Sequence, residues 1–184
     1  MQAGEPLFPV GTQEDANDKI GRVLVVACGA LAREIIAIRD LNQLDHIDLT
    51  CLPAQLHNTP EKIPDEVQRV ILQNRDVYSD ILIAYGDCGT GGLLDKVLEE
   101  TGTRRIEGAH CYAFFAGLEA FDQFEEDQLG SFYLTDFLAR HFQTMVIEPL
   151  GLDWHPHLRD MYFAHYTRVL YLAQTDDPAL EEAA

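Results

Sequence analysis

The sequence predicts an α/β protein with an open, mostly parallel sheet flanked by helices, a Rossmann-like arrangement, and a more helical second half. Two observations support this fold class. Short apolar runs alternate with helix-like segments at least three times in the first half of the chain. The first run, 22–27, is almost entirely apolar and rich in β-branched residues, which is typical of a parallel strand buried on both faces.

Local signals delimit the elements of the first half. The first strand ends at Cys28-Gly29, and a glycine-rich turn at 86–92 separates the third strand from the next helix. Pro64 suits the first turn of a helix whose apolar residues, such as Val67 and Val70, share one face. Strands are predicted at 22–27, 46–52, 80–85 and 105–106. Helices are predicted at 30–41, 64–74, 93–101 and 112–121.

The second half reads as mainly helical. We expect an amphipathic helix over 128–142, a helix over 160–165, a late strand at 168–173 and a helix starting at 175–178. That last helix begins with an acidic cap and a proline, yet the chain stops at Ala184, less than two turns later. We therefore predict a flexible leader at 1–20 and a single α/β domain at 21–184 that is truncated at its C-terminus.

Composition narrows the classes of partner and the compartment. The formal net charge of −18 disfavours binding to nucleic acid or to an anionic membrane surface, because both would repel the chain. No segment approaches the ~20 apolar residues of a membrane span, and the N-terminus lacks the basic and apolar regions of a secretory signal. We therefore predict a cytoplasmic protein whose four cysteines are reduced thiols, which favours metal binding or catalysis over disulfides.

Three of the cysteines occupy corresponding positions in the predicted fold. Cys28, Cys88 and Cys111 follow the first, third and fourth strands, and His57 lies in the loop after the second. The carboxyl ends of parallel strands share one edge of a sheet, so these side chains should converge there. With His57 or His110 completing the shell, three thiolates predict a zinc site, with an iron–sulfur cluster as the alternative cofactor. The opposing interpretation is that each cysteine is merely buried packing.

The glycine-rich turn allows two interpretations. Gly86, Gly89 and Gly91 could cradle a phosphate-bearing cofactor on their backbone N–H groups, although the turn does not have the spacing of a dinucleotide or nucleotide loop. Alternatively, the glycines permit close backbone approach and let Asp87 and Cys88 face the crevice. Asp87 could then bind a metal, orient a histidine or act as a catalytic base. A solvated loop carboxylate remains the simpler interpretation of Asp87.

Other cysteine, histidine and tyrosine residues are interpreted structurally. Cys51 lies within the second strand and should belong to the core. His155 and His157 form an HxH pair in a loop and are interpreted as solvated. Tyr85 and Tyr112 flank the cysteine loops, where they could either line a pocket or pack in the core.

Several motifs together resemble a known family. They are Cys28-Gly-Ala-Leu31 with Glu34, Leu56-His-Asn58 with Pro60, Tyr85-Gly-Asp-Cys-Gly-Thr-Gly-Gly92, His110-Cys-Tyr112, Phe132-Tyr-Leu-Thr-Asp-Phe137 and the segment 152–162. From about residue 22 to its end, the chain resembles domain-of-unknown-function family 1638. In one departure, Ala113 stands where the family leads us to expect a glutamate. If that glutamate is a ligand or an acid–base group, this chain lacks it.

The resemblance implies a functional setting but no established reaction. Members occur in bacteria and archaea, and their genes often lie beside corrinoid-dependent methyltransferases and corrinoid proteins. We therefore expect a metal protein of one-carbon metabolism, whose partner is a corrinoid protein or methyltransferase and whose substrate is a small-molecule thiol. Two alternatives remain open. One is a non-catalytic module that docks on such a partner, and the other is a thiol enzyme using Cys88 or Cys111.

Overall fold

A computed structural model of the chain describes residues 21–123 and 130–184. The predicted leader at 1–20 lies outside this part. The chain divides into two compact units, and the boundary between them falls between His110 and Cys111. A single domain over 21–184 stays a prediction, since two compact units can still fold cooperatively as one domain.

The first unit contains a four-stranded, all-parallel sheet, which confirms the predicted fold class. Its strands are β1 Val23–Cys28, β2 Ile47–Leu52, β3 Asp80–Ala84 and β4 Arg104–Arg105. Their order is β2-β1-β3-β4, with β1 between β2 and β3. Helices α1 Ala32–Leu41, α2 Ile63–Asn74 and α3 Leu93–Thr101 connect them. Three short 3-10 helices lie at Gly29–Leu31, Ala54–Asn58 and Pro60–Lys62. The fourth strand begins one residue earlier than predicted.

The central strand explains why these residues form a sheet. Val26, Ala27 and Cys28 of β1 are completely inaccessible to solvent, as expected for a parallel strand covered on both faces. Helix α2 buries Ile63 and Val67 fully, and burial of an apolar helix face is the main source of helix stability in a protein. The strands therefore end together at one carboxyl edge, where the following loops emerge.

The second unit is smaller and mixed. Strands β5 Ser131–Thr135 and β6 Arg168–Leu172 form a two-stranded parallel sheet. Its helices are α4 Tyr112–Ala116, α5 Leu118–Gln123, α6 Asp136–Arg140, α7 Arg159–Phe163 and α8 Pro178–Ala183, with a π-helix at Gln143–Ile147 and a 3-10 helix at Pro156–Leu158. The predicted helix over 112–121 is divided at Gly117, whose φ of 86° a helix does not allow. Among the described residues, no helix combines the length and the apolar character needed to cross a membrane.

The predicted helix over 128–142 is wrong. Its first two residues lie outside the described part, and residues 131–135 form strand β5 instead. Ser-Phe-Tyr-Leu-Thr favours a strand through its aromatic and β-branched side chains, and pairing with β6 outweighs the helical spacing. The helix begins only at Asp136, where the Thr135 hydroxyl accepts a hydrogen bond from the backbone N–H of Leu138 at 3.2 Å.

A buried carboxylate ties β5 to the end of the chain. Asp136 is 1% exposed and accepts hydrogen bonds from the Tyr171 hydroxyl (2.7 Å), the Thr175 hydroxyl (2.6 Å) and the Gln174 backbone N–H (3.1 Å). Burial by itself raises the pKa of Asp136, but the hydrogen bonds outweigh it and hold the pKa below the ordinary 3.8. Burial first, and then the hydrogen bond to Asp136 and its charge, raise the pKa of Tyr171 to about 12.

Candidate metal centre

The carboxyl edge of the first unit brings together the predicted residues that follow β1, β2 and β3. Cys28 is the last residue of β1, His57 lies in the 3-10 helix after β2, and Cys88 lies in the loop after β3. Cys28 Sγ is 3.8 Å from His57 Nδ1. Cys88 lies close enough to His57 to perturb its pKa. The topological argument for convergence therefore holds for these three side chains.

The hydrogen bonding of His57 identifies which ring nitrogen is available to a ligand. His57 Nδ1 lies 3.0 Å from the carbonyl oxygen of Ala54. A carbonyl can only accept, so Nδ1 carries the hydrogen in the neutral ring and Nε2 carries the lone pair. Nε2 is buried and has no hydrogen-bond partner. Metal-bound histidines show this same pattern, in which one nitrogen donates to a backbone carbonyl and the other binds the ion.

One ligand atom from each of His57, Cys88 and Cys111 lies within 4.8 Å of the other two. Around a tetrahedral zinc ion with Zn–S bonds of roughly 2.3 Å, ligand sulfurs stand about 3.8 Å apart. The group is therefore close to the size that an ion requires. Cys111 is the first residue after the boundary between the units, and its backbone is bonded directly to His110 of the first unit.

Backbone contacts hold the Cys88 loop against the segment that leads to Cys111. Asp87 N–H donates to the Gly108 carbonyl at 3.0 Å, and Cys88 N–H donates to the Ala109 carbonyl at 2.8 Å. At Gly86, an added Cβ would lie 2.8 Å from the carbonyl carbon of His110. Glycine is required there because two backbones touch, which supports the close-approach interpretation of the turn. Nothing tests a phosphate-binding role for Gly86, Gly89 and Gly91, which stays a prediction.

Cys88 occupies an unusual backbone conformation. Its φ is +50°, in the left-handed region, and its side chain is 6% exposed. Non-glycine residues other than asparagine and aspartate are uncommon there, and such outliers are concentrated at functional sites. The strain is consistent with a loop shaped to present this sulfur.

The Asp87 carboxylate is hydrogen-bonded within its own loop. Its carboxylate accepts hydrogen bonds from the Thr90 hydroxyl (2.7 Å) and from the backbone N–H groups of Gly92 (2.8 Å) and Gly91 (3.2 Å). Burial raises the pKa of Asp87, but these hydrogen bonds outweigh it and the pKa is lowered below 3.8. The carboxylate therefore braces the loop ahead of α3, and its predicted roles as base or ligand stay predictions.

Two predicted ligands stand beside the three-residue group. Cys28 is fully buried, and its sulfur accepts a hydrogen bond from the Ala30 N–H at 3.4 Å. His110 is exposed, and contact with Cys88 raises its pKa. Among the described residues, the group whose ligand atoms all lie close together comprises His57, Cys88 and Cys111. Cys28 and His110 are positioned as neighbours of that group.

The pKa of His57 depends on the neighbouring cysteines at the carboxyl edge of the sheet. Burial lowers the pKa of His57, but Cys28 and Cys88 outweigh it and raise the pKa to about 10. Cys51 differs, because it packs with Val25 and Ala27 in the core, where burial raises its pKa to about 11. The prediction that Cys51 is a core residue is confirmed.

Sequence reasoning missed two groups that matter here. The Ala54 carbonyl gives no signal in the sequence, since any residue carries one. Tyr85 was noted only as a pocket or core residue, but its ring lies nearly parallel to that of His57, with centroids 6.2 Å apart and 12° between the planes. Its hydroxyl is buried without a hydrogen-bond partner. Tyr112 packs instead on Tyr133, with ring centroids 5.2 Å apart.

The second unit has a cavity of about 580 Å³, and none of the candidate metal ligands lines it. Phe132, Phe142, Phe163 and Tyr166 form much of its wall, and Phe132 contacts the other three rings at their edges or faces. Among the described residues, no cysteine or histidine lines this cavity.

The fold and the site together define an α/β protein with a parallel sheet and a His/Cys group that could hold a metal ion at the carboxyl edge. Residues 51–184 match the family described as "Protein of unknown function (DUF1638)", and the chain belongs to that family. The match includes His57, Cys88 and Cys111 but begins after Cys28, so the resemblance noted around Cys28 lies outside it. No curated protein and no solved structure matches the chain.

Proposed function

We propose that this protein binds a metal ion, preferentially zinc, through His57 Nε2 and the thiolates of Cys88 and Cys111. The observation that supports this proposal is the buried Nε2 atom of His57, which has no hydrogen-bond partner, on a residue that belongs to a compact group with two cysteines. Leaving a buried polar atom unpaired is costly, and a metal ion would satisfy it. Nitrogen and sulfur ligands favour zinc among the common divalent ions.

Three protein ligands leave one position of a tetrahedral zinc ion open, which is the pattern of catalytic rather than structural zinc. Cys28, whose Sγ lies 3.8 Å from His57 Nδ1, and His110, which interacts with Cys88, are protein candidates for a fourth ligand. An iron–sulfur cluster is the weaker alternative, because clusters of the common types use four cysteine thiolates. In the described part of the chain, the compact group contains only two cysteines.

The open position suits a small-molecule thiol as substrate. Zinc held by His57, Cys88 and Cys111 would act as a Lewis acid that lowers the pKa of the thiol, whose proton would pass to solvent, and the resulting thiolate could attack the methyl group of a donor. The carbon–sulfur bond forms as the bond between the methyl group and the donor breaks, and the donor keeps that electron pair. A corrinoid protein or methyltransferase is the proposed partner, and this assignment comes from the family resemblance alone.

Metal analysis of protein purified without chelator tests the proposal. We expect about one zinc ion per chain in the wild type. The variants His57→Ala, Cys88→Ser and Cys111→Ser should lose it. The matched control is Cys51→Ala, which removes a buried cysteine outside the group and should retain the ion. Metal content that is absent from the wild type, or equal in Cys88→Ser and Cys51→Ala, would contradict the proposal.

A second candidate function is a thiol enzyme without metal. The raised pKa of His57, to about 10, reflects attraction between its protonated ring and the neighbouring cysteines. A thiolate beside an imidazolium is the usual form of a reactive cysteine. Iodoacetamide labelling at neutral pH distinguishes the two functions. Rapid alkylation of Cys88 or Cys111 alone, in wild-type protein without metal, would favour the enzyme, whereas protection by added zinc would favour the metal site.

A further inference from the structure

Tyr85 carries a buried hydroxyl that has no hydrogen-bond partner, although Cys28 lies near enough to act on it electrostatically. The residue is 0% exposed, and its Oη has no hydrogen-bond partner. It directly follows β3 and precedes Cys88 by three residues. Tyrosine hydroxyls that are buried usually find a partner, because an unpaired one sacrifices its hydration. An acceptor atom on a bound ligand would satisfy this hydroxyl.

The surroundings of the hydroxyl show which atom that ligand must supply. Tyr85 is packed against the His57 ring, and a phenol hydroxyl carries its proton at neutral pH. The hydroxyl thus keeps its proton and acts as a donor. A bound cation could contact only the oxygen lone pairs and would leave the O–H donor without an acceptor. An anionic atom held on the metal would supply that acceptor.

We propose that the Tyr85 hydroxyl donates a hydrogen bond to a small-molecule thiolate bound at the open position of the metal site. The inference rests on the proposed function, and it adds the residue that would recognise the sulfur of the ligand. A zinc ion with two cysteine thiolates, a neutral imidazole and a third thiolate carries one excess negative charge. In a site whose cysteines are buried, a donor directed at the incoming sulfur offsets that charge.

The choice of sulfur over oxygen follows from the setting. Cys88 and Cys111 are 6% and 8% exposed, so a ligand beside them loses most of its hydration. Thiolate is a soft ligand that suits a zinc ion already bound by sulfur. Thiolate is also less strongly hydrated than carboxylate or hydroxide, so its burial is less costly.

The test uses the full chain loaded with Co²⁺, whose absorption reports sulfur ligation. Wild type, Tyr85→Phe and the control Tyr78→Phe are each titrated with 2-mercaptoethanol, and with ethylene glycol as the oxygen analogue. Tyr85→Phe keeps the ring that packs on His57 and removes only the hydroxyl. Tyr78→Phe makes the same change at a tyrosine whose environment is set by Asp48 and Arg22 instead.

We expect all three proteins to bind cobalt equally, and the wild type and Tyr78→Phe to bind the thiol but not the glycol. In Tyr85→Phe the thiol Kd should rise about tenfold or more, in line with the 10–100-fold effects of lost hydrogen bonds around metal sites. Equal thiol affinities in Tyr85→Phe and Tyr78→Phe would overturn the inference. It would also be overturned if the cobalt-loaded wild type did not bind the thiol. If Tyr85→Phe alone failed to bind cobalt, the hydroxyl would be needed for metal binding itself, and the inference about the thiolate would be overturned. A wild type that binds no cobalt would refute the proposed metal site itself.

Discussion

His57 Nδ1 lies 3.0 Å from the Ala54 carbonyl oxygen, three residues earlier in the same short 3-10 helix. The contact orients the ring and places the hydrogen on Nδ1, which leaves Nε2 as the only nitrogen of the neutral ring that can bind a metal. A local backbone turn thus fixes the tautomer of His57, a side chain that lies near cysteines distant in the sequence.

The two histidines at this edge should differ in their importance for metal binding. His57→Ala should weaken zinc binding more than 100-fold, because losing a ligand costs more than the roughly 10–100-fold expected for an outer contact. His110→Ala should weaken it less than about tenfold, since His110 is exposed and lies outside the compact group. Competition with a chromophoric chelator measures both affinities. Equal losses would place His110 among the ligands.

Close backbone approach at Gly86 should matter for the site. In Gly86→Ala the new Cβ would meet the His110 backbone at 2.8–3.0 Å, so the segment carrying Cys111 must move away from Cys88. We expect a large loss of zinc affinity. Gly91→Ala is the control in the same loop, because its φ of +62° makes alanine strained while the space around it is open. It should lose about 1 kcal/mol of stability and keep the metal.

Asp87 should act by bracing its loop. Asp87→Asn weakens the hydrogen bonds to Thr90 and to the backbone of Gly91 and Gly92, and Thr90→Val removes one of them while keeping the charge. If bracing is the role, both variants should lower zinc affinity moderately and in the same direction, with Asp87→Asn the larger effect. A loss confined to Asp87→Asn would instead support the predicted role of Asp87 as ligand or base. Isothermal titration with zinc separates the outcomes.

Asp136 should make stability fall in acid. Its folded pKa is lower than the 3.8 of the free side chain, so its contribution is complete above about pH 5 and is lost as the pH falls through 3.8 towards the folded value. Urea unfolding midpoints at pH 6 and pH 3.5 should therefore differ more in the wild type than in Asp136→Asn. Asp160→Asn, at an exposed carboxylate, is the control and should behave like the wild type.

Tyr171 should limit stability in alkali. The folded pKa of about 12 exceeds the ordinary 10.0, so the contribution of the neutral hydroxyl is complete below pH 10 and is lost as the pH rises towards 12. Tyr171→Phe removes the hydrogen bond to Asp136 and should be less stable at pH 7. It should also lose less further stability between pH 9 and pH 11 than the wild type does. A parallel decline in both proteins would contradict this assignment.

The sheet and the edge were predictable because both follow from local patterns. The buried run in β1 indicates parallel strands, and parallel strands share a carboxyl edge, so Cys28, His57 and Cys88 had to emerge on the same side. The sequence does not predict strand β5, because the spacing of its apolar residues also fits a helix. Only its pairing with the distant strand β6 distinguishes the two. The exclusion of Cys28 from the compact group depends on side-chain positions within an ångström or two. Such distances arise from tertiary packing, and no spacing in the sequence encodes them.

The left-handed backbone at Cys88 has a consequence for how this position tolerates substitution. Glycine should adopt the same backbone conformation without steric strain, and this relief opposes the cost of losing a buried side chain, so Cys88→Gly is expected to change thermal stability little while abolishing the sulfur ligand. Selection for stability alone would then accept glycine at position 88, whereas selection for zinc binding would require cysteine. A library randomised at position 88 and sorted separately for abundance and for zinc retention would reveal that conflict directly.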